Sequence, residues 1–300
     1  MATAYRTGLI GLLRNSSVIF AISIALGLAL PGPAAMSSGL LTPALILMMT
    51  FSMKEIDFKA RGSLKEALIG FCLNYLILSG LILVMAYSLD EPLWQGFVVM
   101  AAVPPAVAVL PLTRILDGDL HLSLYSEAIS YLASIVIMPG VIFLFTSRTG
   151  VSFLSTMETA LTLILLPLVL SRLVGGLRID PVIPINLGFF IVTYTVLGMN
   201  RDALLAGMGV STLAVIAFTR TFAIGGAVYA ASLAAGMPPE KRISYTLLGS
   251  YKNLGLSAAV SLMLFGPAAG MPSAACILAE TIFYIFLSMA RHRLAGHDPA

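Results

Sequence analysis

The feature that most constrains this chain is a succession of ten apolar stretches, each of the length expected for a membrane-spanning helix and separated by charged or Gly- and Pro-rich residues. Together they explain a composition of 59% hydrophobic and only 10% charged residues, whereas soluble domains contain about 25% charged residues. The chain is therefore expected to be an all-α polytopic membrane protein with a single transmembrane domain over residues 1–300. The expected spans are 16–31, 37–53, 64–88, 93–112, 120–146, 153–173, 182–199, 203–236, 242–265 and 272–291.

The basic residues are distributed asymmetrically among the predicted loops. With the N-terminus inside, thirteen Lys and Arg residues fall in inside loops and only two, Arg148 and Arg201, fall outside. Cytoplasmic loops carry such an excess of basic residues. We therefore expect a protein of the cell membrane with both termini in the cytoplasm and with its first apolar segment retained as a helix.

The ten spans divide into two blocks of five, with repeat 1 at about 1–148 and repeat 2 at about 149–300. An odd number of helices gives the second block the opposite orientation, as in inverted-repeat transporters. The fourth span contains Pro104-Pro105 and the ninth contains 249–255 with two glycines, so both helices are expected to be broken. At about 1.5 Å per residue, both breaks lie near the middle of a hydrocarbon core about 30 Å thick. Such transporters bind their substrate at this depth.

Four ionisable residues lie well inside the spans, namely Glu127, Arg220, Lys252 and Glu280. Each costs at least about 2.5–3.5 kcal/mol at a lipid-facing helix centre, so we expect all four to face the protein interior and to find partners. Glu127 shares a helix face with Ser123. For Arg220 and Glu280, a purely structural ion pair and a functional role are both open, whereas Lys252 belongs to the broken segment itself.

No motif indicates an enzyme or a nucleic-acid-binding protein. The three histidines form no HExxH helix, and GxSxG, P-loop and GxGxxG motifs are absent from the sequence. There is also no basic run with interleaved aromatic residues, so nucleic acid is not an expected partner. The sequence therefore predicts no enzyme, no cofactor and no metal site.

Four short motifs resemble those of the bile acid:sodium symporter family, in the order and spacing of its ten helices. They are Leu47–Phe58 at the exit of the second span, Asn74-Tyr75 in the third, Gly118–Ser123 at the start of the fifth and Lys252–Leu256 in the ninth. The resemblance implies a panel domain and a core domain, with broken helices 4 and 9 crossing in the core. It also implies a secondary transporter that moves a small organic anion by alternating access.

Several positions depart from the family pattern, and the departures concern the sodium site. In relatives that use sodium, oxygen ligands near the crossing hold the ions. Here the corresponding positions are Val109 and Leu110 in the fourth span, Leu248 and Lys252 in the ninth, and Glu127 in the fifth. The resemblance thus implies that the Lys252 ammonium replaces sodium and pairs with Glu127, and sodium coupling is not expected.

The remaining residues implied by the resemblance complete the predicted site. Ser123, Asn74 and Asn253 are expected as polar lining, and the break at Pro104-Pro105 is expected to face the solute. The expected partners are a small organic anion and the lipid bilayer, with proton coupling and uniport both left open. The alternatives are an exporter of another small metabolite or oxyanion on the same scaffold and a membrane sensor that does not transport.

Overall fold

The computed structural model describes residues 10–54, 62–146, 152–177, 179–205 and 210–294, together with Gly8. Over these residues the chain is helical throughout and contains no strand, which confirms the predicted all-α class. Six of the helices in this part of the chain are long and apolar enough to cross a membrane. The fold is therefore that expected of a multi-pass membrane protein.

The main helices are labelled in chain order, without the short helices Gly32–Ser37 and Arg201–Leu205, and the two that are interrupted have two parts each. They are α1 Ser16–Ala29, α2 Leu41–Met53, α3 Leu64–Ala86, α4a Glu91–Ala102, α4b Val109–Ile115, α5 Leu120–Thr146, α6 Phe153–Gly176, α7 Val182–Met199, α8 Ser211–Ala234, α9a Pro239–Ser250, α9b Leu254–Phe265 and α10 Met271–Leu294. The six long apolar helices are α3, α5, α6, α7, α8 and α10, the last together with the turn Pro267–Gly270 that precedes it.

Side-chain caps explain where several helices begin. The Ser63 hydroxyl accepts a hydrogen bond from the Glu66 amide at 3.4 Å at the start of α3, and Asn253 Oδ1 accepts one from the Leu256 amide at 3.0 Å at the start of α9b. Each cap satisfies an amide that has no partner within its own helix. Because Asn253 is itself buried, α9b begins inside the protein rather than in a surface loop.

Three helices contain a wider, π-helical turn, at Leu73–Leu78 in α3, Leu161–Leu165 in α6 and Thr219–Ala223 in α8. Such turns are rare and are frequent at functional sites. The turn in α3 contains Asn74 and the turn in α8 contains Arg220. Two residues singled out by the sequence therefore lie at local departures from regular helix geometry.

The helices pack in two groups. One group places α7 against α1 and α2, and α6 against α2, whereas α3, α4, α5, α8, α9 and α10 pack with one another in the second. Met48 and Met49 of α2 are buried where the groups meet. Gly255 of α9b approaches this surface so closely that an added Cβ would lie 2.8 Å from Met48 Cε.

The predicted spans agree closely with the observed helices. Spans 120–146 and 182–199 coincide with α5 and α7 to the residue, and the fourth and ninth spans are interrupted as predicted. Within the span predicted at 203–236, the structure describes a helix at Arg201–Leu205 and then α8, and residues 206–209 between them lie outside the described residues. Five basic residues of the loop asymmetry also lie outside them, namely Arg6, Lys59, Arg61, Arg148 and Arg178.

Candidate functional site

Two helices are interrupted at facing positions inside the protein. The break in α4 covers 103–108, and the break in α9 covers 251–253. The two breaks are in direct contact, because the Asn253 amide donates a hydrogen bond to the Pro104 carbonyl at 2.9 Å. The two features that the sequence marks as helix breaks therefore meet at one point.

The two prolines explain the break in α4. Proline has no N–H, so Pro105 cannot donate to the carbonyl of Ala101 four residues earlier. That carbonyl instead accepts hydrogen bonds from the Ser79 hydroxyl of α3 at 2.7 Å and from Lys252 Nζ at 3.1 Å. Side chains from two other helices thus supply the donors that the backbone of α4 lacks.

The Lys252 ammonium is the positive charge at this crossing. Its side chain is completely buried, and Nζ donates to the Val103 carbonyl at 2.9 Å in addition to that of Ala101. These carbonyls lie at the C-terminal end of α4a, where the helix dipole favours a cation. The ring of Tyr75 lies 4.5 Å from Nζ, within the range of a cation–π contact. Backbone oxygens and an aromatic face therefore surround the cation.

Asn74 supports the break in α9 from the α3 side. Its Nδ2 donates to the Leu248 carbonyl at 2.7 Å and to the Tyr251 carbonyl at 3.0 Å. Both carbonyls lie where α9a ends, so neither has a regular helical donor. Asn74 thus has a defined partner in the crossing, rather than the general role of polar lining expected for it.

Glu280 supports the same break from the other side. Its Oε1 accepts a hydrogen bond from the Lys252 amide at 3.1 Å and also pairs with the guanidinium of Arg220. The Tyr251 hydroxyl donates to the Glu280 carbonyl at 3.0 Å. The expectation that buried charges find partners is confirmed for Arg220 and Glu280, and their pair connects α8 and α10 to the break.

The predicted ion pair between Lys252 and Glu127 is wrong. Among the described residues, the ion pairs include none between Lys252 and a carboxylate. The four-carbon stem carries the ammonium to the carbonyls of α4a instead, and the carboxylate that meets this residue is Glu280, through the backbone amide. Glu127 is fully buried in α5 and interacts electrostatically with Tyr131, one turn further along the same helix.

Asn253 connects the break in α9 to α5. Its Nδ2 donates to the Tyr131 hydroxyl at 2.9 Å and contacts Met49 Sδ at 3.3 Å. The Tyr131 hydroxyl in turn donates to the Pro105 carbonyl at 3.1 Å. Asn253 and the two prolines therefore belong to one hydrogen-bonded network with Lys252.

Ser123 belongs to a different part of the molecule. Its hydroxyl is hydrogen-bonded to that of Thr113 at 2.9 Å, and it lies in the first turn of α5, next to the loop that contains Asp119. Asn74, Pro104, Pro105, Lys252 and Asn253 are thus brought together at the crossing, with Arg220 and Glu280 directly behind it. Ser123 lies outside that network.

Three of the positions that the resemblance aligns with sodium ligands are apolar in the structure as well as in the sequence. Val109, Leu110 and Leu248 are all buried, and none of them has a side-chain oxygen. Small hard cations prefer oxygen ligands. These three side chains therefore offer no ligand to a sodium ion.

Sequence reasoning missed Ser79 and Tyr131 and gave no role to Tyr75. Tyr131 follows Glu127 by one helical turn, so helix periodicity could have placed it on the same face. Tyr75 stands next to Asn74 in a motif that the sequence marks. Nothing in the sequence around Ser79 indicates that its hydroxyl reaches a carbonyl of the next helix.

Comparison with protein families gives a match. A model of the Sodium Bile acid symporter family matches residues 42–196, slightly more than half of the chain. The matched segment includes Asn74, both prolines of the α4 break and Glu127, whereas Lys252 lies beyond it. A search of curated proteins finds no match.

Proposed function

Because the chain belongs to the sodium bile acid symporter family, we propose that it is a secondary transporter that moves a small organic anion across the membrane by alternating access, without coupling to sodium. The observation that carries this proposal is the crossing of two interrupted helices around a completely buried lysine. Discontinuous helices at mid-membrane depth are the usual substrate sites of secondary transporters.

The electrostatics of the crossing support an anion as the solute. Lys252 contributes a basic amino group, and α9b begins at the break, so the positive end of its dipole lies there too. Helix N-termini of this kind face the anionic groups of substrates in transporters with broken helices. An organic anion that approaches the crossing would therefore be stabilised by the Lys252 side chain and by the N-terminus of α9b.

Two observations support independence from sodium. Val109, Leu110 and Leu248 replace oxygen-bearing side chains of the family pattern, and the Lys252 ammonium donates to backbone carbonyls of the kind that also bind alkali ions. A covalently attached cation makes a mobile one unnecessary at this point. Uniport and proton coupling are the modes that this arrangement leaves open.

For the architecture, we propose ten spans in two inverted repeats, about 1–148 and about 149–300, with both termini in the cytoplasm. The loop asymmetry of basic residues supports this orientation. Cysteines placed at Gly62 and Pro239 should be protected from an impermeant maleimide added outside the cell, whereas a cysteine at Ser147 should react. The reverse labelling pattern would contradict the inverted repeat.

Counterflow in proteoliposomes tests the proposed function. Vesicles loaded with an unlabelled carboxylate (cholate and a set of smaller organic anions in turn) should accumulate the labelled form equally well in sodium and potassium buffers. Lys252→Gln should abolish this accumulation because it removes the positive charge at the crossing. Lys241→Gln is the matched control, since Lys241 pairs with Glu66 away from the crossing.

Two results would contradict the proposal in different ways. Failure of every anion in the set to show counterflow, with correctly folded protein in the vesicles, would reject transport of this solute class. Counterflow that requires sodium and saturates with it would reject sodium independence but not transport. Saturable thermal stabilisation of the purified protein by sodium, not reproduced by potassium, would reject the same point without any solute.

A further inference from the structure

The interface between α3 and α5 contains buried oxygen atoms that the crossing does not use. Asn74, Ser126 and Ser130 are completely buried. Asn74 Oδ1 and the hydroxyls of Ser126 and Ser130 have no hydrogen-bond partner among the described residues. Buried polar atoms are nearly always hydrogen-bonded to protein or to ordered water. Three such atoms in one interface therefore indicate a ligand.

The orientation of Asn74 is fixed by its own contacts. Its Nδ2 donates to two carbonyls of the α9 break, so a flipped amide would place its oxygen against both of them. Oδ1 must therefore point away from α9, and as a carbonyl-type oxygen it can only accept. It requires a donor that no described residue supplies.

Helices α3 and α5 run side by side in the same direction, which brings these atoms into register. Gly62 lies beside Tyr125, and an added Cβ at Gly70 would lie 2.6 Å from the Ser126 hydroxyl. Further along, the Tyr75 hydroxyl interacts with Ser134. Since Asn74 follows Gly70 by one turn and Ser130 follows Ser126 by one turn, the two side chains occupy the same layer.

The hydroxyls of α5 form a continuous column. Ser123, Ser126, Ser130 and Ser134 occur on successive turns and are all completely buried, and Glu127 lies on the turn between the first and third of them. At one end, Ser123 lies next to the half-buried Asp119 loop. At the other end, the ring of Tyr75 contacts the Lys252 ammonium.

We propose that this column, from Ser123 through Ser126, Ser130 and Asn74 to Tyr75, holds a file of internal water molecules between α3 and α5. Water fits the chemistry because Asn74 Oδ1 requires a donor, whereas a serine hydroxyl can both donate and accept. Internal waters typically make about three hydrogen bonds to otherwise unsatisfied groups. A water on each turn would satisfy these oxygens from both helices.

The water file also suggests a coupling ion for the proposed transporter, and this part of the inference rests on the proposed function. A carrier that does not use sodium requires another coupling ion or none. Water molecules that run past Glu127 to the crossing provide a proton path from the Asp119 loop to the only carboxylate of α5. The path thus favours proton coupling over uniport, while the water file itself exists whether or not the protein transports.

Radiolytic hydroxyl labelling with mass spectrometry tests the file in wild-type protein, without any solute. Radicals generated from bound water modify the side chains that contact it, so Tyr75 should be labelled several-fold faster than its burial predicts. Tyr251 is the control, because it is also buried (3% exposed, against 8% for Tyr75) and its hydroxyl is already hydrogen-bonded to the Glu280 carbonyl. The double variant S126A/S130A should lower Tyr75 labelling, whereas S250A, which removes a buried hydroxyl bonded to the Thr246 carbonyl, should not.

The outcomes separate the alternatives. Labelling of Tyr75 no faster than that of Tyr251 would overturn the water file, and this measurement needs no variant to fold. Loss of Tyr75 labelling when sodium replaces potassium would show that an ion occupies the column, which would also overturn it. Because no solute is present, a failure of counterflow would leave these results unchanged, and so the two proposals fail separately.

Discussion

Replacing Lys252 by alanine tests whether the crossing of α4 and α9 requires a cation. The substitution removes three methylene groups and the ammonium from a completely buried position. The Val103 carbonyl loses a donor, while the Ala101 carbonyl keeps its hydrogen bond from Ser79. The change therefore combines a cavity with an unsatisfied carbonyl next to two helix breaks.

The expected magnitude follows from these two losses. An unsatisfied buried acceptor costs about 1–3 kcal/mol, and truncation of a long buried side chain to alanine costs about 2–5 kcal/mol. Relief from burying a charge offsets part of this sum, so we expect a net loss of about 2–4 kcal/mol. Lys252→Met, which keeps the stem and loses the donors and the charge, should lose less.

The assay is thermal unfolding of the purified variant in detergent with added amines. n-Propylammonium supplies the three methylenes and the ammonium that alanine lacks, so it should raise the unfolding midpoint of Lys252→Ala in a saturable way. If it binds with a Kd of about 10 mM, then about 100 mM should restore about 1.4 kcal/mol. Tetramethylammonium, which has no N–H, and n-propanol, which has no charge, are the controls.

Three results would refute this reasoning. Equal stability of Lys252→Ala and wild type would mean that the ammonium does not support the crossing. Equal stabilisation by n-propylammonium and tetramethylammonium would show a general salt effect instead of a specific site. Stabilisation of the wild-type protein by n-propylammonium to the same extent would place the amine elsewhere, since the native lysine already occupies the crossing.

Three further predictions concern the surroundings of the crossing. Loss of either Arg220 or Glu280 alone should lower the free energy of unfolding by about 3–5 kcal/mol, because a buried charge remains unpaired. A double-mutant cycle measured by thermal unfolding should therefore give a large coupling energy, and additive losses would contradict the pair. The hydrogen bond that Lys241 donates to a glutamate at the start of α3 raises the pKa of Lys241 above 10.5. The stability that this hydrogen bond contributes is therefore complete below pH 10.5 and is lost as the pH rises through the raised pKa. The unfolding midpoints of wild type and Lys241→Gln should converge in that pH range, and a constant difference between them would contradict the ion pair as the source of the stability. Gly96→Ala would place a Cβ 2.1 Å from a backbone oxygen of the turn before α10, whereas Gly80→Ala meets open space. Only Gly96→Ala should therefore lower the unfolding midpoint, and equal midpoints for the two variants would contradict the packing of α4a.

The sequence predicts those parts of the fold that depend on local chemistry. Apolar runs set the helix lengths, and the missing amides of Pro104 and Pro105 set the break in α4 wherever the helix packs. The position of Lys252 next to Asn253 and two glycines predicted the break in α9 in the same way. These features require no knowledge of which helices are neighbours.

The partners of the buried charges depend on distances between helices, and the sequence does not contain those. A lysine and a glutamate inside spans both require partners, but the reach of the lysine stem towards α4a becomes visible only in three dimensions. The π-helical turns in α3 and α8 contain neither Gly nor Pro, so no local signal indicates them. Asn74 on the first of these turns bonds the α9 break, whereas Arg220 on the second pairs with Glu280 of α10.

The hydrogen bonds at the crossing indicate which part of the protein can move. Every backbone amide of the α9 break has an acceptor, at 2.9–3.1 Å. The Tyr251 amide donates within α9, the Lys252 amide donates to Glu280, and the Asn253 amide donates to the Pro104 carbonyl. The broken segments are thus fixed to α3, α4 and α10 as one body, and separating them would leave several buried groups unpaired.

The contacts from this body to α2 are of a different kind. Side-chain donors meet methionine sulfur there: Asn253 contacts Met49 at 3.3 Å, and Thr42 contacts Met263 at 3.6 Å. Sulfur is a weak acceptor and methionine is conformationally adaptable, so such contacts are exchanged at little cost. Under the proposed alternating access, the crossing would therefore be exposed to either side of the membrane by sliding along the methionine-lined surface of α2, with the crossing itself carried intact.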